Sequence, residues 1–313
     1  MLTTSDLTKL LLAGMKTEFM KEFAKKEEEW QRIAVLIKSG KETESYAWLG
    51  SNPDVHEWVD ERIPEALSEY SYSIKNLDWE SSISVDRNVI RYEQYGQTNL
   101  RARQLANKAK RFWGRSAYQF LSQGYLSTGN SGIFNTKAIT CYDGNPFFYG
   151  EHEEGSSGSQ SNKGVVEFSE ANLRTALTTM RGIVDDKGEK LDIHPNLLVV
   201  SSANEFLARE ILNSTYFPTE VSGGSKLANN VMKGVLDLYV SSHIDDNDWF
   251  VFDTSGVIKP MILQTSKDVE FTSLTEGIEH FMRKKLFFGV DFSGMLGWGL
   301  WQYAYGSSPD WDI

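Results

Sequence analysis

Residues 46–85 read YAWLGSNPDVHEWVDERIPEALSEYSYSIKNLDWESSISV and hold the densest set of landmarks in the chain. Trp48-Leu49-Gly50 is followed by Pro53, then by Glu57-Trp58 and Arg62. From Tyr70 the pattern has period two. Tyr70, Tyr72 and Ile74 fall on one face, and Ser71, Ser73 and Lys75 on the other. Trp79, Ser81, Ile83 and Val85 repeat the alternation. Such alternation predicts extended β-structure with one face much wetter than the other.

Working outward, the segment from Ser5 to about Lys38 has helical spacing. Leu7, Leu10, Leu11, Met15, Phe19 and Phe23 recur at steps of three and four, and Ser5 or Asp6 can cap the start. The run Lys25 to Glu29 reads as a solvated face. The apolar stripe of this segment needs a cover, from its own domain or from a neighbouring subunit. On the other side, Asn99–Gln123 is the strongest helix candidate. Ala102, Leu105, Ala109, Trp113, Ala117 and Phe120 share one arc, and Arg101, Lys108, Arg111 and Arg115 share the opposite one. With Arg103 and Lys110 the segment holds six basic residues and no acidic one. That segregation stands out in a chain of net charge −11.

Gly/Ser/Asn-rich stretches at 127–132 and 155–164 predict loops, and Tyr142-Asp143-Gly144 predicts a turn before Phe147-Phe148-Tyr149. Helices are expected over Ser169–Val184, capped by Ser169, and over Ala203–Leu212. Strands are expected at Leu197–Ser201, Val235–Ser241, Trp249–Asp253, Val269–Phe271 and Phe281–Phe292. Ser222 to Ser225 reads as a flexible link.

The bulk numbers bound the class. A chain of 313 residues forms one large or two medium domains and buries about 75% of its unfolded surface. The 40% hydrophobic and 24% charged fractions are those of a soluble globular protein. Cys141 is the one cysteine, read as a buried thiol, so no intrachain disulfide is expected, which suits a reducing cytoplasm. The net negative charge argues against nucleic-acid binding over the whole surface but leaves room for one basic face. No secretory signal or membrane span is expected. The nearest approach, Leu286–Tyr305, is interrupted by Asp291 and several glycines.

A search for catalytic chemistry is mostly negative. Gly40-Lys41 is followed by Glu42, so no phosphate loop is formed, and Gly294, Gly297 and Gly299 do not fit a dinucleotide fingerprint. His56, His152, His194, His243 and His280 are scattered and have no metal-binding spacing. His152 among Glu151, Glu153 and Glu154 reads as a solvated acidic loop, and Asp245, Asp246 and Asp248 as a surface turn. No cofactor or metal is expected. An acidic hydrolase built on Asp143 and His152 is the alternative from another class. It lacks a recognisable base and orienting partner.

The landmarks of 46–85 resemble, in their order, the major head subunit of Mu-like tailed bacteriophages. Val85-Asp86-Arg87, Cys141-Tyr142-Asp143-Gly144, Phe147-Phe148 and His152 extend the likeness, which becomes architectural over the rest of the chain. There are departures. His56 stands where a basic Arg is expected beside Glu57-Trp58, and Arg91-Tyr92-Glu93 replaces an acidic pair. Asn145-Pro146 precedes the aromatic pair, and 127–138 looks inserted.

The resemblance implies an α+β chain with the Hong Kong 97-type major capsid fold and no enzymatic activity. It implies an N-terminal arm (1–47), an E-loop (48–86), a peripheral domain in two parts (87–191 and 268–313) with a spine helix near 99–123, and an axial domain (192–267). Acidic residues outnumber basic ones in the axial segment. The implied function is self-assembly, through hexamers and pentamers, into the icosahedral head shell around double-stranded DNA. Portal, scaffold and decoration proteins are the implied partners, with no membrane. The implied location is the virion capsid, after assembly in the host bacterial cytoplasm. A gene-transfer particle or a shell around protein cargo shares the fold and remains an alternative. Trp58 and Trp79 are then candidate inter-subunit residues, because an alternating hairpin has little partner surface within one chain. Arg101, Lys108, Arg111 and Arg115 are candidates to face the lumen and its DNA, against pairing with carboxylates of adjacent subunits.

Overall fold

The computed structural model describes residues 4–25, 29–46, 72–86, 88, 95–221, 224–274 and 284–311. The first helix, α1, is Thr4–Phe23. The helical reading to Lys38 is corrected here. After a 3-10 turn at Glu29–Arg32, residues Ala34–Lys38 form strand β1. This Ala-Val-Leu-Ile-Lys run contains the β-branched Val35 and Ile37, which favour a pleated surface. Short strands β2 (Thr43–Ser45) and β3 (Ser73–Lys75) pair with each other, and β4 (Leu77–Asp86) follows. The alternation read from the sequence is therefore strand structure from Ser73 onward. Residues 47–71, with Trp58, lie outside the described residues.

Helix α2 runs from Tyr95 to Leu121. Strands β5 (His152–Glu153), β6 (Ser159–Gln160) and β7 (Lys163–Gly164) interrupt the expected 155–164 loop and its approach. Helix α3 (Glu170–Gly182) starts at Ser169, whose Oγ accepts the Asn172 N–H, as the cap signal predicts. Then come β8 (Leu197–Ser201), α4 (Glu205–Asn213), and the pair β9 (Tyr216–Val221) and β10 (Gly224–Asn229). Strands β11 (Asp237–Ser241), β12 (Trp249–Phe252), β13 (Met261–Leu274), β14 (Lys285–Trp298) and β15 (Ala304–Ser307) complete the chain.

Two sheets organise these elements. The first has the order β1-β13-β14-β4, with β1 parallel to β13 and the other pairs antiparallel. Helices α1 and α2 cover one of its faces. Leu11, Met15 and Phe19 of α1 are buried, one turn apart, against Ala102, Leu105, Ala106 and Ala109 of α2. Alanines at three of those positions let the two helices approach closely. From Leu11 to Phe19 the apolar stripe of α1 is thus covered by its own chain, while Leu10 is 63% exposed. Beneath it, Val85, Leu286, Phe288 and Val290 point up from the sheet.

The second sheet has the order β11-β8-β12-β15-β7. Strands β8 and β12 are buried along their whole length, which is why they read as unbroken apolar runs. A cut at 192 and 267 does not follow these sheets. β7 and β15 lie in the sheet of β8 and β12, and β13 already belongs to the first sheet from Met261. The two sheets share one core. Trp298 stacks between Phe120 (3.8 Å) and Phe147 (4.2 Å), and Phe148 passes the contact on to Phe250 (5.4 Å).

Candidate assembly surface

The helix-on-sheet layer formed by α1, α2 and the first sheet has two outer faces. Their chemistry follows from which residues the core claims. On α2 the inward arc holds Ala102, Leu105, Ala106, Ala109, Trp113 and Ala117, all buried. What remains for solvent is the basic arc, with Arg101, Lys108, Arg111 and Arg115 exposed. Arg103 is drawn toward α1, where its Nε donates to Glu18 Oε2 at 2.7 Å. Arg111 is engaged within the chain. Arg101, Lys108 and Arg115 have no carboxylate at ion-pair distance among the described residues. Lys108, Arg111 and Arg115 also line, together with Glu80 at the edge of β4, a recess of about 500 Å3 between α2 and β4, whose lining includes His243, Trp79, Phe112 and Phe292.

The opposite face is acidic. Strand alternation sends Val85, Ile83 and Trp79 toward the helices and leaves Asp78, Glu80, Ser82, Ser84 and Asp86 exposed on the far side. The register continues this across the sheet. Glu80 stands beside Asp291, and Asp291 beside Glu270, so three carboxylates form one row over three strands. Lys267 bridges Asp291 and Glu270, at 3.1 Å from the latter, and is the cation of that row. Like charges directly opposite each other destabilise a sheet, and Lys267 offsets that repulsion between Asp291 and Glu270. The layer is basic on its helix side and acidic on its sheet side.

Trp79 is half-buried in its own chain. Its ring lies 5.1 Å from Phe112 and 6.4 Å from Trp113, and its Nε1 donates to the Gly294 carbonyl at 2.9 Å. The indole is part of the intrachain aromatic cluster, whatever its exposed edge meets.

The Asp143–His152 pair is not a catalytic site. His152 Nδ1 lies 2.6 Å from Asp143 Oδ2, and the two side chains are 0% and 5% exposed. The imidazole stacks on Trp301 at 4.1 Å. Burial pushes the Asp143 carboxyl up, but hydrogen bonding and charge from His152, with help from Asn145, outweigh it and hold the group below the usual carboxylate range. Glu154, expected in a solvated loop, is instead buried. It accepts hydrogen bonds from Trp301 Nε1 (2.8 Å), Gln302 Nε2 (3.0 Å) and the Tyr142 hydroxyl, and burial raises its carboxyl. The network ties the 142–154 segment to the 3-10 turn at Trp301–Tyr303. His152 itself is core, and only Glu151 and Glu153 of the acidic run are exposed.

The acidic turn before β12 is also corrected in part. Asp245 and Asp246 are exposed, but Asp248 is 2% exposed. Burial raises its carboxyl to about 7, with Asp245 and Asp310 adding to the rise and the Ser122 and Ser308 hydroxyls opposing it. Among the described residues no three His, Cys, Asp or Glu side chains are placed to hold a metal ion, and no helix is long and apolar enough to cross a membrane. Sequence reasoning missed Asp248 and the carboxylate row, because neither has a local signal.

Comparison with known proteins agrees with this architecture. The family model described as Mu-like prophage major head subunit gpT matches residues 8–167, 166–244 and 241–312. The Mu-like prophage FluMu major head subunit of Haemophilus influenzae is 25% identical over 304 residues, covering 96% of this chain and 73% of that protein. The major capsid protein of Escherichia phage Mu is 22% identical over 172 residues, 53% of this chain and 52% of that one. Among solved structures, the bacteriophage JBD30 procapsid matches with a TM-score of 0.58 at 20% identity, over 96% of this chain and 75% of that chain. The capsid of an empty GTA particle matches at 0.52 and 9% identity, over 90% and 89%. These structures establish the α+β, Hong Kong 97-type capsid fold, and the chain belongs to the family of Mu-like prophage major head subunits: it is a structural subunit of a phage head shell and not an enzyme.

Proposed function

We propose that this subunit closes, through hexamers and pentamers, into an icosahedral shell around double-stranded DNA, with the basic face of α2 toward the lumen. The observation that carries the reading is the opposite charge of the two faces of the helix-on-sheet layer. A shell has an inside and an outside. Phosphate repels the carboxylate row of Glu80, Asp291 and Glu270 and attracts Arg101, Lys108, Arg111 and Arg115. The contacts are to the DNA backbone and independent of its sequence. In this reading residues 1–47 are the arm, with α1 seated on α2, and 48–86 the E-loop, anchored to the first sheet through β4. The axial part centres on β8, β11 and β12. Residues 87–191 and 268–313 supply most of the peripheral part, with α2 as its spine. Portal, scaffold and decoration proteins would meet the assembled shell, and assembly would take place in the host bacterial cytoplasm.

Negative-stain microscopy and light scattering of the purified chain test the shell. Particles or capsomer rings are expected, and a stable monomer at every salt concentration overturns the reading. Salt-dependent DNA binding tests the face. Neutralising all four cations to Gln should flatten the dependence of log K on log salt by up to about 3.6 per subunit, at about 0.9 for each phosphate contact. An unchanged slope overturns the assignment of the lumenal face.

A further inference from the structure

The two sheets are joined in two ways that differ in kind. One is the aromatic core, where Phe148 contacts both Trp298 of the first sheet and Phe250 of β12. The other is the 3-10 turn Glu29–Arg32, which leads directly into β1 of the first sheet and reaches across to β11 of the second. Side chains at i and i+3 of a 3-10 turn eclipse, so Glu29 and Arg32 stand on the same side of it. Both meet Tyr239 of β11. The Arg32 guanidinium lies over the ring, 5.0 Å from its centroid. The Glu29 carboxylate stands beside the hydroxyl, where it adds to the rise that burial gives that group.

The turn is anchored on one side and only gripped on the other. Trp30 and Ile33 are buried in the main core. The Ile33 carbonyl accepts the Met261 N–H at 3.1 Å, and the Gln31 carbonyl accepts from Lys259 Nζ. Tyr118, buried on α2, donates its hydroxyl to the Glu29 carbonyl at 3.1 Å. These contacts fix the turn to α2 and the first sheet. The grip on the second sheet is of weaker material. The Glu29 and Arg32 side chains are exposed and Tyr239 is half-buried. Exposed polar and cation–π contacts open far more readily than a buried apolar anchor. Tyr239 also stacks on Tyr118 at 5.0 Å, but stacked rings keep contact over a range of offsets.

We infer that the 29–32 turn is a strap that sets the angle between the two sheets, with the aromatic core as pivot and the grip of Glu29 and Arg32 on Tyr239 as catch. The register supports a lever. Phe250 at the pivot, Val199 and Tyr239 at the catch form one row across β12, β8 and β11. Two strand spacings separate the ends of that row, about 9.6 Å. A slip of about 2 Å at Tyr239 therefore turns the second sheet by about 12° about the pivot. With the catch closed the second sheet, and α4 with it, holds one pose. With the catch open it takes a range of poses while Trp30 and Ile33 stay seated.

Distances between spin labels, measured by pulsed electron paramagnetic resonance on the unassembled chain, test it. Cys141 is the one native cysteine and is buried, so labels attach to Ser84→Cys on β4 and Glu210→Cys on α4, both exposed positions. Adding Glu29→Ala and Arg32→Ala should widen the distance distribution, or shift its mean, by about 2 Å or more, the slip worked above. Arg32→Lys alone keeps a cation for the ring and should stay close to the labelled parent. Gln31→Ala, at an exposed position of the same turn, should leave the distribution unchanged. An unchanged distribution in the Glu29→Ala/Arg32→Ala variant overturns the strap. Equal widening in Gln31→Ala or Arg32→Lys overturns the catch on Tyr239, because the turn then acts through its general stability. A Glu29→Ala/Arg32→Ala chain that no longer folds overturns the inference as well, since a catch that opens by itself cannot carry the fold. None of these outcomes touches the shell reading, which particle formation by the wild-type chain decides.

Discussion

Asp248 should make the stability of the unassembled chain fall as pH rises from 4 to 7, and Asp248→Asn should remove most of that fall. The carboxyl is 2% exposed, and its Oδ2 has no hydrogen-bond partner. Burial, with the charges of Asp245 and Asp310, raises it from the ordinary 3.8 to about 7. A carboxyl raised on folding binds its proton in the native state where the unfolded chain has already released it. Its contribution is therefore fully present below pH 3.8 and is lost as pH climbs through about 7. The gap of about three pH units, at about 1.4 kcal/mol each, sets a ceiling of about 4 kcal/mol. Relaxation and water entry reduce this, so about 1–3 kcal/mol is expected in practice. The amide of Asn can still accept from Ser122 and Ser308 and never ionises. Urea unfolding at pH 5 and pH 8, wild type against Asp248→Asn, measures the effect. The variant's advantage over wild type should grow from pH 5 to pH 8, because wild type loses the larger part of the contribution between them. If both lose the same stability between the two pH values, Asp248 is not the titrating group and the argument is wrong.

Two further outcomes follow from the packing. Trp79→Ala should destabilise the unassembled chain by about 1.5–3 kcal/mol, because the half-buried indole packs on Phe112 and Trp113 and donates to the Gly294 carbonyl; a variant whose urea midpoint is unchanged would show that the ring does not pack there. His152→Ala should cost about 3–5 kcal/mol by leaving Asp143 buried without its partner, and the double variant His152→Ala/Asp143→Asn should recover part of it; strict additivity in that cycle would count against a coupled pair.

Helix α2 was legible because its core contacts repeat every 3.6 residues, so the pattern needs no knowledge of what covers it. Strands β8 and β12 were legible as short apolar runs, and the Ser169 cap as a local bond. Strand β1 was misread because five apolar residues after a helix carry either period equally well. Its parallel partner, Met261–Thr265, lies far along the chain. The full length of β13 was missed for a related reason. Its outer half, Ser266–Leu274, is largely solvent-exposed, and nothing in that composition marks a strand until β14 pairs with it.

The sequence by itself determined the family, the amphipathic α2 and the separation of its basic arc from its apolar one, since these depend on residue identity and local spacing. Only the tertiary structure decided what the other face of that layer carries. Glu80, Glu270 and Asp291 are unremarked in the linear order and become one carboxylate row when three strands align in register. It also decided that Asp143, His152 and Glu154 are core rather than loop, and that Asp248 is sealed between Ser122 and Ser308. Charge and hydrophobicity belong to single residues and can be read one at a time. Burial, register and edge exposure are properties of pairs of segments distant in the chain, and they exist only once those segments meet.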